Sequence, residues 1–319
     1  MVDGLGWGID WIIALQASGG AVFTQAMDAF TFLGSELFYL LVMPALLWCF
    51  NASLGVRLGV ALLTSASLNS ILKLAFGLPR PYWADSRIRA LTIETSYGLP
   101  SGHAQNPIVL WGYLAYRLQR WWATALAVVL ILAISFSRVY LGVHFPADVV
   151  AGGLIGALLL VAFVRLEAPV TDWFARHALR VRLVAAGLGS FGLTVLGWIV
   201  AQATSGRVIP AEWIENVLRE TGSDFNAQSP EGVISAGGAM FGFSLGAVLL
   251  ADWGRFHAAG GMGPRLARFF VGLFGVLALH LGLSGLLPDG EPLRFLRYAL
   301  VGFWIAYGAP RVFVALRLA

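Results

Sequence analysis

Charge is scarce in this chain of 319 residues. Only 12% of them are Asp, Glu, Lys or Arg, where soluble domains carry about 25%. So few polar groups cannot coat a water-exposed surface, which excludes a soluble protein with a very apolar core. Cysteine occurs once, at Cys49 within an apolar run. No intramolecular disulfide can form, and the redox compartment cannot be read from it. Segments that alternate apolar and polar residues are missing, which excludes an outer-membrane β-barrel. The stretch Met1 to Trp7 has no basic residue, so it does not resemble a cleaved secretory signal. Lysine also occurs once, at Lys73.

Apolar residues are abundant, at 58%. They gather in runs approaching the ~20 residues that a helix needs to cross a bilayer. The pattern predicts an all-α, polytopic membrane bundle. Clear spans are expected near 35–50, 56–76, 104–118, 121–139 and 147–166, then near 183–203, 233–251, 268–287 and 296–315. Residues 8–31 are amphipathic and interrupted by Gly19-Gly20. They read as an interfacial or re-entrant helix rather than a span. Residues 169–182 are basic and aromatic and are expected to link a domain at 1–168 to four helices at 183–319.

Three fragments break the apolar background. Lys73 is followed, after six residues, by Arg80-Pro81. An ammonium at the end of an apolar span is costly without an anionic partner, and arginine suits bidentate contact with phosphate oxygens. Next comes Pro100-Ser101-Gly102-His103 ahead of an apolar helix. Ser101 is a natural N-cap there, and Gly102 and His103 offer amides at the positive helix end, where anions bind. Last comes Ser137-Arg138, then His144 after five residues and Asp148 after three more. Pro146 suits the first helical position. Asp148 then lies in the first turn, within reach of the His144 ring. A bond there would leave the other ring nitrogen free to attack.

These residues and spacings resemble the three-part signature of the type 2 phosphatidic acid phosphatase (PAP2) superfamily, over roughly residues 35–166. The resemblance implies that Lys73, Arg80 and Arg138 hold the non-bridging phosphate oxygens, assisted by Ser101 and Gly102. It implies that His144 is the nucleophile that becomes a phosphohistidine, oriented by Asp148. His103 would protonate the leaving oxygen and later activate water. Ser137 is a signature position that could only support Arg138. No metal site is expected, because one His–Asp pair among cations is a poor divalent site. No cofactor and no nucleic-acid partner are expected.

The leading expectation is an integral-membrane phosphohydrolase acting on a lipid phosphate or lipid diphosphate, with the lipid bilayer itself as partner. A phosphotransferase using the same phosphohistidine stays open, as does a lipid transporter or scaffold built on the C-terminal half. Gly152 and Gly156, and Gly238, Gly242 and Gly246, recur every four residues. Such small faces serve packing within the fold or a homodimer. Residues 210–220, with Trp213, Ile214, Val217 and Leu218 at helical spacing, suggest an amphipathic outer-face helix. With the motif loops on one side, the other side collects 12 of the 21 basic residues, Arg117, Arg120, Arg176, Arg180 and Arg182 among them. Positive charge marks the cytoplasmic side. The site is therefore expected on the non-cytoplasmic face of an inner or plasma membrane.

Overall fold

The computed structural model describes residues 6–222, 226–286, 288 and 290–319. Most of the Met1–Trp7 stretch therefore lies outside the described residues. The described residues are helical, with no strand among them.

The chain forms two compact units. Unit 1 comprises 1–36, 69–162 and 199–229; unit 2 comprises 37–68, 163–198 and 230–319. These interleaved units do not coincide with the halves 1–168 and 183–319 expected from the sequence. Unit 1 holds α1 (Gly6–Ser18), α2 (Ala21–Phe32) and the end of α4 (Ala52–Phe76). It also holds α5 (Pro81–Ala84), α6 (Gly102–Leu118), α7 (Trp121–Tyr140), the first part of α8 (Pro146–Arg176) and α10 (Ala211–Thr221). Unit 2 takes most of α3 (Glu36–Ala45) and α9 (Leu179–Thr204), then α11 (Glu231–Trp253), α12 (Met262–Leu286), α13 (Glu291–Phe303) and α14 (Ala309–Ala315). Single π-helical turns follow α3 and α13, at Leu46–Phe50 and Trp304–Gly308.

Among the described residues, seven helices or helix pairs are long and apolar enough to cross a membrane, and the bent pair Ala21–Phe32 and Glu36–Phe50 would make eight. The expected span 104–118 is not among them. At 17 residues, α6 reaches about 25 Å against a hydrocarbon core of about 30 Å. Its first turn is also polar, with Gln105 fully buried. The expected linker 169–182 is another departure. α8 runs unbroken through Pro169 to Arg176, and α9 starts at Leu179. Proline is tolerated in membrane helices where neighbouring groups satisfy the freed carbonyls.

Within unit 1, α6 and α7 form a packed antiparallel pair, and α1 and α2 lie on α7. The break at Gly19-Gly20 has a packing cause. A Cβ at Gly19 would collide with the Tyr140 hydroxyl, which bonds to Thr24 Oγ1 at 2.7 Å. Gly152 and Gly156 let α8 rest on the carbonyls of Ser101 and Gln105. In unit 2, Gly238 and Gly242 let α11 rest on the carbonyls of Phe295 and Ala299 of α13. The glycine faces thus serve packing inside each unit. The unit 2 core adds aromatic contacts such as Trp48 on Phe313, with ring centroids 5.6 Å apart.

Candidate active site

All eight candidate residues fall in unit 1. Four backbone features position them. Lys73 rides the last turn of α4, after which Gly77 turns the chain at φ +61°. Arg80 immediately precedes α5, whose first residue is Pro81. Gly102 and His103 open α6. Arg138 lies in the last turn of α7, and a five-residue connection returns the chain to α8, where Asp148 sits in the first turn.

His144 and Asp148 are both buried. Asp148 Oδ2 accepts the Phe145 amide at 2.9 Å and lies 3.4 Å from His144 Nδ1. On the other side of the ring, Nε2 faces Arg80 Nη1 at 3.2 Å. A guanidinium can only donate. Nε2 is therefore the lone-pair nitrogen, and Nδ1 carries the proton toward Asp148. Burial first, then the positive field of Arg80, Lys73 and Arg138, holds the His144 imidazole well below the usual histidine range. A neutral ring with a lone pair on Nε2, here held by the Arg80 guanidinium, is the form a nucleophile requires.

The three cations converge on one loop. Lys73 Nζ donates to the Tyr97 carbonyl at 2.6 Å and to Ser96 Oγ at 3.3 Å. Arg80 is fully buried and donates through Nε to the Ser96 carbonyl at 2.6 Å and through Nη1 to the Val143 carbonyl at 2.9 Å. Arg138 donates through Nη1 to Thr31 Oγ1 of α2 at 2.5 Å, and its Nη2 pairs with the Glu94 carboxylate. The other Glu94 oxygen lies 3.7 Å from Arg80 Nη2. Burial works to raise the Glu94 carboxyl, but Arg80 and Arg138, with His103 and Lys73, override it and bring it down to about 2.

Ser101 corrects one expectation. It occupies the N-cap position of α6 but makes no side-chain cap bond. Its backbone carbonyl already accepts the amides of Ala104 and Gln105, at 3.3 and 3.1 Å. The Gly102 and His103 amides belong to the first turn, which has no partners within the helix. Asn69 braces this turn from α4, donating to the Pro100 carbonyl at 3.3 Å and to Gln105 Oε1 at 3.0 Å. Ser137 Oγ donates to the Ile134 carbonyl of its own helix at 2.7 Å, so it supports the turn carrying Arg138.

Sequence reasoning missed Glu94, Thr31 and Arg207. Glu94 is the only carboxylate between Asp85 and His103, a signal that was present in the sequence. Arg207 donates to the carbonyls of Leu74 and Ala75 at 3.0 and 2.9 Å, which caps α4 next to Lys73. The expected amphipathic helix appears as α10. It packs on α5, with Asn216 Nδ2 donating to the Trp83 carbonyl at 2.8 Å.

Comparison with known proteins supplies a context for this geometry. The family model described as PAP2 superfamily matches residues 54–171, which include all eight candidate residues. A second, described as PAP2 superfamily phosphatase, transmembrane extension, matches 234–319. Lipid phosphate phosphatase delta of Arabidopsis thaliana is 28% identical over 181 residues, covering 52% of this chain and 44% of that protein. Sphingosine-1-phosphate phosphatase 1 of Mus musculus is 29% identical over 195 residues, covering 56% and 44%. An undecaprenyl-diphosphatase of Sulfolobus acidocaldarius is 31% identical over 116 residues, covering 36% and 55%. The matches thus span about half the length of these curated relatives. No solved structure matches.

Proposed function

The chain belongs to the PAP2 superfamily, and from that premise we propose that it is an integral-membrane phosphohydrolase acting on a lipid phosphate or lipid diphosphate. The observation that carries the proposal is the His144 ring. One nitrogen lies toward Asp148, and the other faces Arg80 within the field of Lys73 and Arg138.

The chemistry runs in two steps. His144 Nε2 attacks phosphorus, the bond from phosphorus to the lipid oxygen breaks, and His103 gives that oxygen its proton. Water then attacks the phosphohistidine, His103 takes the proton, and the P–N bond breaks to release phosphate. Lys73, Arg80 and Arg138, with the Gly102 and His103 amides, stabilise the charge on the equatorial oxygens. Three cations supply the neutralisation that a divalent metal provides elsewhere, so turnover is metal-independent. Vanadate, a mimic of the pentacoordinate phosphoryl group, inhibits it. The named activities of the relatives, on lipid phosphate, sphingosine 1-phosphate and undecaprenyl diphosphate, support a lipid substrate.

The test is phosphate release in detergent from phosphatidic acid, phosphatidylglycerol phosphate, a prenyl diphosphate and a sphingoid phosphate, with and without EDTA. Release from at least one lipid, unaffected by EDTA, is expected. Loss in EDTA with restoration by magnesium overturns the metal-independent route. Transfer of phosphate to an added lipid alcohol in place of release identifies a phosphotransferase.

The site is proposed to face away from the cytoplasm. Arg117 and Arg120 lie at the far end of the α6–α7 pair from His103 and Arg138, and positive charge favours the cytoplasmic side. A cysteine at Asp85 in a Cys49→Ser background is expected to react with an impermeant thiol reagent in intact cells. Reaction only after the inner face is exposed, with a cysteine at Arg180 labelled in intact cells, inverts the orientation.

A further inference from the structure

We infer that Glu94 is an internal anion that occupies the phosphate's place between Arg80 and Arg138 and must swing aside when a phosphoryl group enters. The inference rests on the proposed phosphate chemistry of this site and deepens it, because it assigns a residue that sets how strongly the site retains phosphate.

Geometry carries the argument. One Glu94 oxygen pairs with Arg138 Nη2, and the other lies 3.7 Å from Arg80 Nη2. The carboxylate thus spans two guanidinium groups expected to grip the phosphoryl oxygens. Arg80 Nη2 also donates to Ser96 Oγ at 3.0 Å and to the Tyr97 carbonyl at 3.3 Å, so Glu94 is bonded to Arg138 and lies in the field of Arg80, as an anion of the kind guanidinium groups suit. Its charge persists at working pH, since its pKa is held at about 2.

The backbone at this point is fixed. The Tyr82 hydroxyl donates to the Glu94 carbonyl at 2.6 Å and accepts the Glu94 amide at 3.3 Å. Tyr82 itself is buried. Only the side chain is therefore free to move. It retains 28% exposure, which gives it an outlet toward solvent. Arg80 stays in place when it moves, because its Nε and Nη1 are anchored on the Ser96 and Val143 carbonyls.

Two consequences follow from an anion that competes for the same cations. Free phosphate is held weakly, so product leaves readily. An incoming headgroup must compete with the carboxylate, and a monoanion competes less well than a dianion. Like charges brought together in a desolvated site are strongly disfavoured. Removing the Glu94 charge therefore tightens anion binding.

The experiment measures orthovanadate and inorganic phosphate binding to the full-length protein in detergent by calorimetry, for wild type and Glu94→Gln. The variant is expected to bind both anions at least about tenfold more tightly, with a matching fall in the vanadate concentration that inhibits phosphate release. Unchanged or weaker binding by a folded Glu94→Gln overturns the inference and makes Glu94 a prop for the arginines. Should Glu94→Gln fail to elute as a folded protein, Glu94→Asp, which keeps the charge but shortens its reach, is expected to bind vanadate more tightly than wild type. Equal or weaker binding by that variant overturns the inference as well. Failure of the underlying reading looks different: wild type would bind neither anion and release phosphate from no lipid.

Discussion

Both units bury ionised side chains, but they satisfy them in different ways. In unit 2, the described residues include one buried charge, Arg268. It donates to the carbonyls of His257, Ala258 and Ala259 at 2.9, 2.9 and 3.2 Å. Neutral acceptors from one short segment tie a loop down and offer nothing to a ligand. In unit 1, Arg80, Arg138, His144 and Asp148 are buried together, the first brought from 58 or more positions away to the other three. There the charges face one another, with Asp148 on His144 and the Glu94 carboxylate on Arg138 and near Arg80. Buried charge answered by backbone is architecture. Buried charge answered by other charge, in a cluster with an imidazole lone pair, is the arrangement of a reactive site.

The largest expected effect breaks or upholds this distinction directly. His144→Ala should lower phosphate release by 10²-fold or more, the usual contribution of covalent and acid–base groups, and leave the unfolding temperature close to wild type. Activity within about tenfold of wild type would remove the unit 1 cluster from the chemistry. Arg268→Ala should do the reverse. It leaves three carbonyls without their donor, that of Ala258 buried and those of His257 and Ala259 partly so, which costs about 1–3 kcal/mol of stability, while turnover per folded molecule is retained. A comparable fall in turnover at unchanged stability would put Arg268 in the chemistry.

A smaller loss is expected from packing alone. Gly242→Leu in α11 drives a side chain into the Ala299 carbonyl of α13. Overpacking of this kind costs about 1–3 kcal/mol, read as a lower unfolding temperature in detergent. The smallest effect belongs to Gly189 of α9, whose Cβ position meets nothing within 4 Å. Gly189→Ala should be neutral or stabilising by up to about 1 kcal/mol. A clear destabilisation there would show that this open face is covered by something outside the chain.

The site was legible in the sequence to the extent that its residues are conspicuous. Lys73, Arg80, His103, Arg138, His144 and Asp148 stand out because an apolar chain has few reasons to carry them. Glu94 did not stand out. It shares its loop with Asp85, Arg87 and Arg89, and Asp85 and Arg87 do pair with each other at the surface. Nothing in a linear pattern separates a solvated acid from one that reaches two buried guanidinium groups. The segment expected as a linker from residue 169 is helical as far as Arg176, and α8 passes through Pro169, since neighbouring groups can satisfy what a proline frees in a membrane helix.

The sequence by itself determined the membrane-helical class, the break at Gly19-Gly20, the glycine-lined helix faces and the identity of the cationic and histidine residues. Composition and short spacing are enough for these, because each depends on a residue's own chemistry or on neighbours within one or two turns. Only the tertiary structure decided that Glu94 lies across Arg80 and Arg138, that Thr31 holds Arg138, and that Arg207 caps α4 beside Lys73. Those contacts join residues 14 to 133 positions apart. They form because buried donors and charges must find partners, and the packing of the helices, rather than their order along the chain, sets which partners come within reach.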